Sequence, residues 1–140
     1  MVSYVLDASA VLRFLDGEAG AERIQEIIDG HGSVPHRMLM SAVNWGEIAG
    51  VIYRTRGLQA SRGALDFLAL VGLEVVTATA VRAERSAFIR MNRGIPYADA
   101  FAVELAGDSS DHILVTADFD VKPAEKDVRI EFLPSKPKRT

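Results

Sequence analysis

Two hydrophobic periods alternate along this chain. Short runs rich in apolar and β-branched residues recur at 4–6, 36–40, 73–77 and 113–116, with a weakly alternating run at 128–133. Runs of this length predict strands, and the nearly continuous ones predict strands covered on both faces. Between them, apolar residues fall three and four apart. That spacing predicts a helix over 8–15 with Val11, Leu12 and Leu15 inward, and another over 20–29 with Ile24, Ile27 and Ile28. Ser41 can cap a long helix to Arg56 that turns Val43, Ile48, Val51 and Ile52 to one side. Helices over 58–71, with Leu65, Leu68 and Leu70 buried, and over 81–92 and 97–106 complete the set, with Gly57 and Gly94 as stops and Pro96 in a first turn. Strands alternating with helices predict an α/β fold: a three-layer α/β/α sandwich around a mainly parallel sheet, with 128–133 at its edge.

The length of 140 residues suits one domain, expected over 1–134, followed by a flexible basic tail at 135–140. A composition 49% hydrophobic and 25% charged excludes a disordered or fibrous chain. Cysteine is absent, which removes disulfides, thiol nucleophiles and zinc–thiolate sites and makes a reducing cytoplasm the natural compartment. The start lacks a basic signal region, and no apolar run reaches the roughly 18 residues of a membrane span, so a soluble, untargeted protein is expected. A net charge of −3 argues against coating nucleic acid by a bulk positive field, though it leaves room for a local basic strip.

Four acids stand apart from ordinary surface charge. Asp7 ends the first strand and Asp118 follows the run at 113–116, so two strands deliver carboxylates to the same sheet edge, where ligands collect in parallel sheets. Glu47 lies on the long helix with Val43 and Val51 one turn to either side, and Asp99 lies in YADAFAVELA, a helix otherwise almost wholly apolar. Taken singly, each has an ordinary explanation. Asp7 can cap a helix, Asp99 can complement a helix dipole, Asp118 can shape a turn, and Glu47 can bond a neighbouring backbone group or arginine. Taken together they differ, because VLDAS, NWGEI, YADAF and VTADF contain no Lys, Arg or His. Clustered carboxylates without cations repel one another and hold protons, unless a divalent metal joins them. Oxygen-only donors point to a hard ion, Mg²⁺ or Mn²⁺, and such an ion to phosphoryl chemistry.

The segments VLDASAVLRFL, SAVNWGEI, YADAFAVELA and ILVTADFD, followed by EFLP, resemble in order and spacing the PIN domain family, and within it the VapC-type toxin ribonucleases of toxin–antitoxin pairs. The similarity spans nearly the whole chain and implies a PIN-like sandwich. It also implies endonucleolytic RNA cleavage, in which Mg²⁺ polarises the phosphate and activates a water for in-line attack, leaving a 5′-phosphate and a 3′-hydroxyl. By this resemblance Asp7, Asp99 and Asp118 hold the ion, and Glu47 holds a second ion or positions the water. Ser9 and Thr116 fall at small polar positions that support the ligands. A cognate antitoxin and a homodimer are the implied protein partners, and RNA the substrate. Asp120 is either a further acid of the site or the start of an Asp-Val-Lys-Pro turn.

Other residues carry weaker signals. Arg82, Arg85, Arg90 and Arg93 lie on or beside one helix; a solvated face is the plainer account, and an RNA backbone path the functional one, with Tyr97 as a stacking group or a core residue. His31, His36 and His112 sit in no ligand-like pattern, and Trp45 suits packing or an interface. An aspartate-nucleophile phosphohydrolase also begins with a strand ending in Asp, but needs a second acid where this chain has Ser9. A non-catalytic RNA-binding or interaction module of the same fold is the stronger alternative.

Overall fold

The computed structural model describes residues 1–30 and 36–137. Residues 31–35, and with them His31, lie outside the described residues, as do 138–140 of the expected tail. At the end of the expected domain Arg13 donates to the Pro134 carbonyl, and beyond it Lys136 pairs with Glu18 at 2.6 Å.

Five strands form one sheet: β1 (Ser3–Leu6), β2 (Arg37–Ser41), β3 (Leu73–Val76), β4 (His112–Thr116) and β5 (Arg129–Phe132). Their order is β3-β2-β1-β4-β5, and every pairing is parallel. The chain therefore reverses its direction of travel across the sheet between β1 and β4. In a parallel sheet such a switch point opens a crevice at the carboxyl ends of the strands.

Strand side chains alternate between the two faces. On one face Leu6, Met38, Met40, Leu73 and Val115 pack against α1 (Ala8–Leu15), α2 (Ala21–Ile28), α3 (Ala42–Arg56) and α4 (Leu58–Leu70) through Val11, Ile24, Ile27, Ile48, Ile52 and Leu68. On the other, Val5, Leu39 and Leu114 meet Ala102, Val103 and Leu105 of α6 (Tyr97–Ala106), while α5 (Ala80–Arg93) lies against α6. Trp45 packs against the first core, in line with its packing role.

Two expectations need correction. Leu70 is 85% exposed, because it lies two residues, about 200° of helix, beyond the buried Leu68. The segment expected as a turn after Asp118 is longer than a turn: Phe119–Lys126 forms a 3₁₀ helix, with Val121 and Ala124 buried against α6.

Gly20 shows how the sheet edge is fastened. It precedes α2 in a left-handed conformation, φ +94°, and a Cβ there would stand 2.9 Å from the Leu133 Cβ. Gly20→Ala combines backbone strain with overpacking and is expected to lower stability by about 1–3 kcal/mol. Gly63→Ala, on α4 with nothing within 4 Å of its Cβ position, is expected to be neutral or stabilising by up to about 1 kcal/mol. Thermal denaturation of the two variants side by side checks this contrast.

Candidate active site

The crevice at the β1/β4 switch point is where the acids gather. Asp7 follows β1 directly and caps α1, accepting a hydrogen bond from the Ala10 amide at 3.0 Å. It is 2% exposed. Ser9 Oγ donates to its Oδ1 at 2.7 Å, and Thr116 Oγ1 donates to its Oδ2. Those hydroxyls also accept: Ser9 Oγ takes the Ala117 amide at 2.9 Å, and Thr116 Oγ1 takes the Asp118 amide at 3.0 Å. The two small polar residues thereby lock the β1–α1 turn to the loop leaving β4. Asp118 sits on that loop and caps the 3₁₀ helix, its Oδ1 accepting from the Asp120 amide at 2.9 Å. Asp120 itself is exposed.

Asp99 occupies the first turn of α6, which follows Pro96. Its Oδ2 is buried and has no hydrogen-bond partner. Burial, the adjoining Asp118 carboxyl, and the charges of Asp7 and Glu47 push its pKa up to about 8. Burial also raises Asp7, to about 6, with Asp118 adding to the shift; the hydrogen bonds from Thr116, Ala10 and Ser9 oppose it and are outweighed. The four acids of the sequence motifs therefore share one electrostatic site.

Asn44, which the sequence reading left without a role, connects Glu47 to this group. It is 1% exposed, and its Nδ2 donates to Glu47 Oε1 at 2.8 Å and to the Ala98 carbonyl at 3.2 Å. A polar residue three before the acid on an otherwise apolar helix face was the available signal.

The other candidates separate. Arg82 is engaged by Glu104 at 2.9 Å and Asp108 at 2.7 Å, and Arg93 by Asp127 at 2.6 Å. Arg85 lies 3.8 Å from Glu104. Arg90 forms no ion pair among the described residues and lines an open cleft of about 640 Å³ with Met91, Gly94, Ile95, Pro96 and Asp120. Tyr97 is 39% exposed and meets Phe101 edge-on. His36 bonds the Ile27 carbonyl, and His112 Nδ1 lies 3.1 Å from the Leu105 carbonyl oxygen, so both serve the backbone.

The donor set suits a hard divalent cation. Among the described residues, none of the four acids forms an ion pair with Lys, Arg or His, and Asp99 leaves a buried oxygen unmet. Nor do three or more His, Asp or Glu side chains of those residues form a ready-made cage. Protein donors reach both oxygens of Asp7.

A family model for the PIN domain matches residues 4–126, and the chain belongs to the PIN domain family. Its fold is similar to that of VapBC2 from Rickettsia felis bound to a DNA fragment from their promoter, with a TM-score of 0.71 at 14% identity, covering 95% of this chain and 100% of the other. It is equally similar to Mycobacterium tuberculosis VapC20, described as a Sarcin-Ricin loop cleaving toxin (TM-score 0.71, 17% identity, 94% and 99% covered). DNA-bound VapBC from Salmonella typhimurium follows at 0.70, with 19% identity and 94% and 98% covered. These likenesses are of fold. No curated protein matches the sequence.

Proposed function

We propose that this protein is a metal-dependent endoribonuclease, the toxin of a toxin–antitoxin pair. The observation that carries this reading is the meeting of Asp7, Glu47, Asp99 and Asp118 at one sheet edge, with none of them neutralised by a cation among the described residues. The PIN family match and the fold of VapC20 support RNA as the substrate. The VapBC complexes support a cognate antitoxin as partner. A homodimer is part of the same reading.

In this mechanism Asp99 and Asp118 hold Mg²⁺ or Mn²⁺ directly. Asp7 shapes the site through the Ser9 and Thr116 hydroxyls and would complete the donor set for the ion. Glu47 orients the attacking water or takes a second ion. The bound cation supplies Lewis acidity to the scissile phosphate and a nucleophilic water near neutral pH. Arg90 is the contact for the RNA backbone, with Arg85 a further cation of α5; Arg82 and Arg93 are committed to ion pairs.

No helix among the described residues is long and apolar enough to cross a membrane, which accords with the cytoplasmic setting proposed for such a pair.

The test is cleavage of a mixed structured RNA pool by purified protein with Mg²⁺, with Mn²⁺ and with EDTA, beside Asp7→Ala. Products are expected with either metal and not with EDTA or the variant. A folded, antitoxin-free protein that cuts nothing would shift the reading to a non-catalytic module of the same fold.

A further inference from the structure

We infer that Asn44 is a positioning residue of the carboxylate site, fixing Glu47 against the turn that carries Asp99 and reserving its own Oδ1 for a water of the bound cation. This rests on the metal-dependent reading above and extends it to a residue outside the acidic set.

The geometry is specific. Asn44 lies in the first turn of α3, and its single NH₂ group spans two elements: Glu47 Oε1 at 2.8 Å on its own helix and the Ala98 carbonyl at 3.2 Å on α6. Ala98 immediately precedes Asp99, so one amide group sets the separation between two acids that come from different helices. Its orientation is fixed by chemistry: both partners are acceptors, and turning the amide over would aim Oδ1 at a carboxylate and a carbonyl.

With that orientation fixed, Oδ1 has no hydrogen-bond partner although the residue is 1% exposed. An asparagine kept for packing would not leave a buried carbonyl oxygen unmet, because the loss costs about 1–3 kcal/mol. Among the described residues, Asp99 Oδ2 is the other buried side-chain atom lacking a partner. Both are acceptors, and Asn44 joins Glu47 to the residue that immediately precedes Asp99. Water held by a divalent cation brings the donors that both lack, and Mg²⁺ normally retains such water. Groups that orient ligands in this way commonly govern metal affinity by 10–100-fold.

The experiment measures Mn²⁺ binding by isothermal titration calorimetry, with melting temperature and steady-state RNA cleavage, for the wild type, Asn44→Leu and Asn44→Ala. Asn44→Leu keeps the branched shape and removes all polar contacts; Asn44→Ala removes them without adding bulk. Both are expected to weaken Mn²⁺ binding about 10- to 100-fold and to lower kcat with little change in KM. Unaltered Mn²⁺ affinity in a folded Asn44→Leu protein, with the wild type binding and cleaving, would overturn the role of Asn44 and leave the nuclease reading standing. A wild type that neither binds Mn²⁺ nor cleaves RNA would overturn both. If Asn44→Leu does not fold, Asn44→Ala, which removes both the donor and the acceptor, takes its place under the same criteria.

Discussion

Asp99→Asn is expected to lower RNA cleavage by at least about 100-fold while raising the melting temperature of the metal-free protein at alkaline pH. The loss of activity follows from the reading of Asp99 as a direct ligand, since even residues that only orient ligands govern activity by 10–100-fold. The gain in stability follows from its surroundings. Asp99 is crowded by Asp118, Asp7 and Glu47, and its pKa is raised to about 8 against about 3.9 in an unfolded chain. A raised carboxyl pKa means that the folded state binds the proton more tightly than the unfolded state. Below about pH 4 the group is protonated in both states and contributes nothing. As pH rises from about 4 to 8, stability is progressively lost, and above that the penalty is complete. Asp7, raised to about 6, adds a loss over the lower part of this window. Asparagine cannot ionise, so the variant should melt several degrees higher at pH 8 to 9 and level with the wild type near pH 4. Saturating Mg²⁺ should reverse the ranking, since a ligand that binds only the folded wild type stabilises it by mass action. Melting curves across pH, with and without Mg²⁺, read this out; an Asn variant that melts lower throughout would make Asp99 a structural acid.

The legibility of this molecule in its sequence follows the range of each interaction. Strands and helices were readable because their signals are local: the apolar run at 113–116, the Ser41 cap, the stop at Gly94. The four acids were readable for a different reason, the absence of any basic residue within their segments, which left the charge unbalanced before any contact was known. Positions that depend on a partner far along the chain were not. The 3₁₀ helix at Phe119–Lys126 contains Pro123, and what holds it is burial of Val121 and Ala124 against α6. Asn44 is an ordinary helix residue until α6 brings the Ala98 carbonyl to 3.2 Å. Asp7 appeared free to bind a metal directly, and folding adds the Thr116 hydroxyl from 109 residues away to its Oδ2. The arginines of α5 looked alike along the helix, and only the packing of α5 on α6 distinguishes Arg82 from Arg90.

That distinction yields the largest stability effect expected away from the acidic crevice. Glu104 is 5% exposed on α6, five residues after Asp99, and Arg82 meets it through one nitrogen while gripping Asp108 with two. α5 packs along α6 with Ile89 against the second core and Ser86 as its one fully buried residue, while Val81, Phe88 and Met91 are exposed. Charge adds to this packing at both ends of α5, through Arg82 at the start and the Arg93–Asp127 pair at the finish. Such a pair need not add stability relative to a well-packed apolar replacement, but removing one partner strands the other, at a cost of about 3–5 kcal/mol. Arg82→Ala strands Glu104. Arg85 at 3.8 Å can compensate in part, so the lower end of that range is expected, or roughly 10 °C in melting temperature for a domain of this size. Replacing both partners, Arg82→Met with Glu104→Leu, removes the stranded charge and should recover most of the loss. Arg90→Ala should leave the melting temperature unchanged and weaken binding to RNA, a weakening that shrinks as salt rises. The opposite pattern, with Arg82 governing RNA binding and Arg90 governing the melt, would return Arg82 to the RNA path and deny α5 its electrostatic clip.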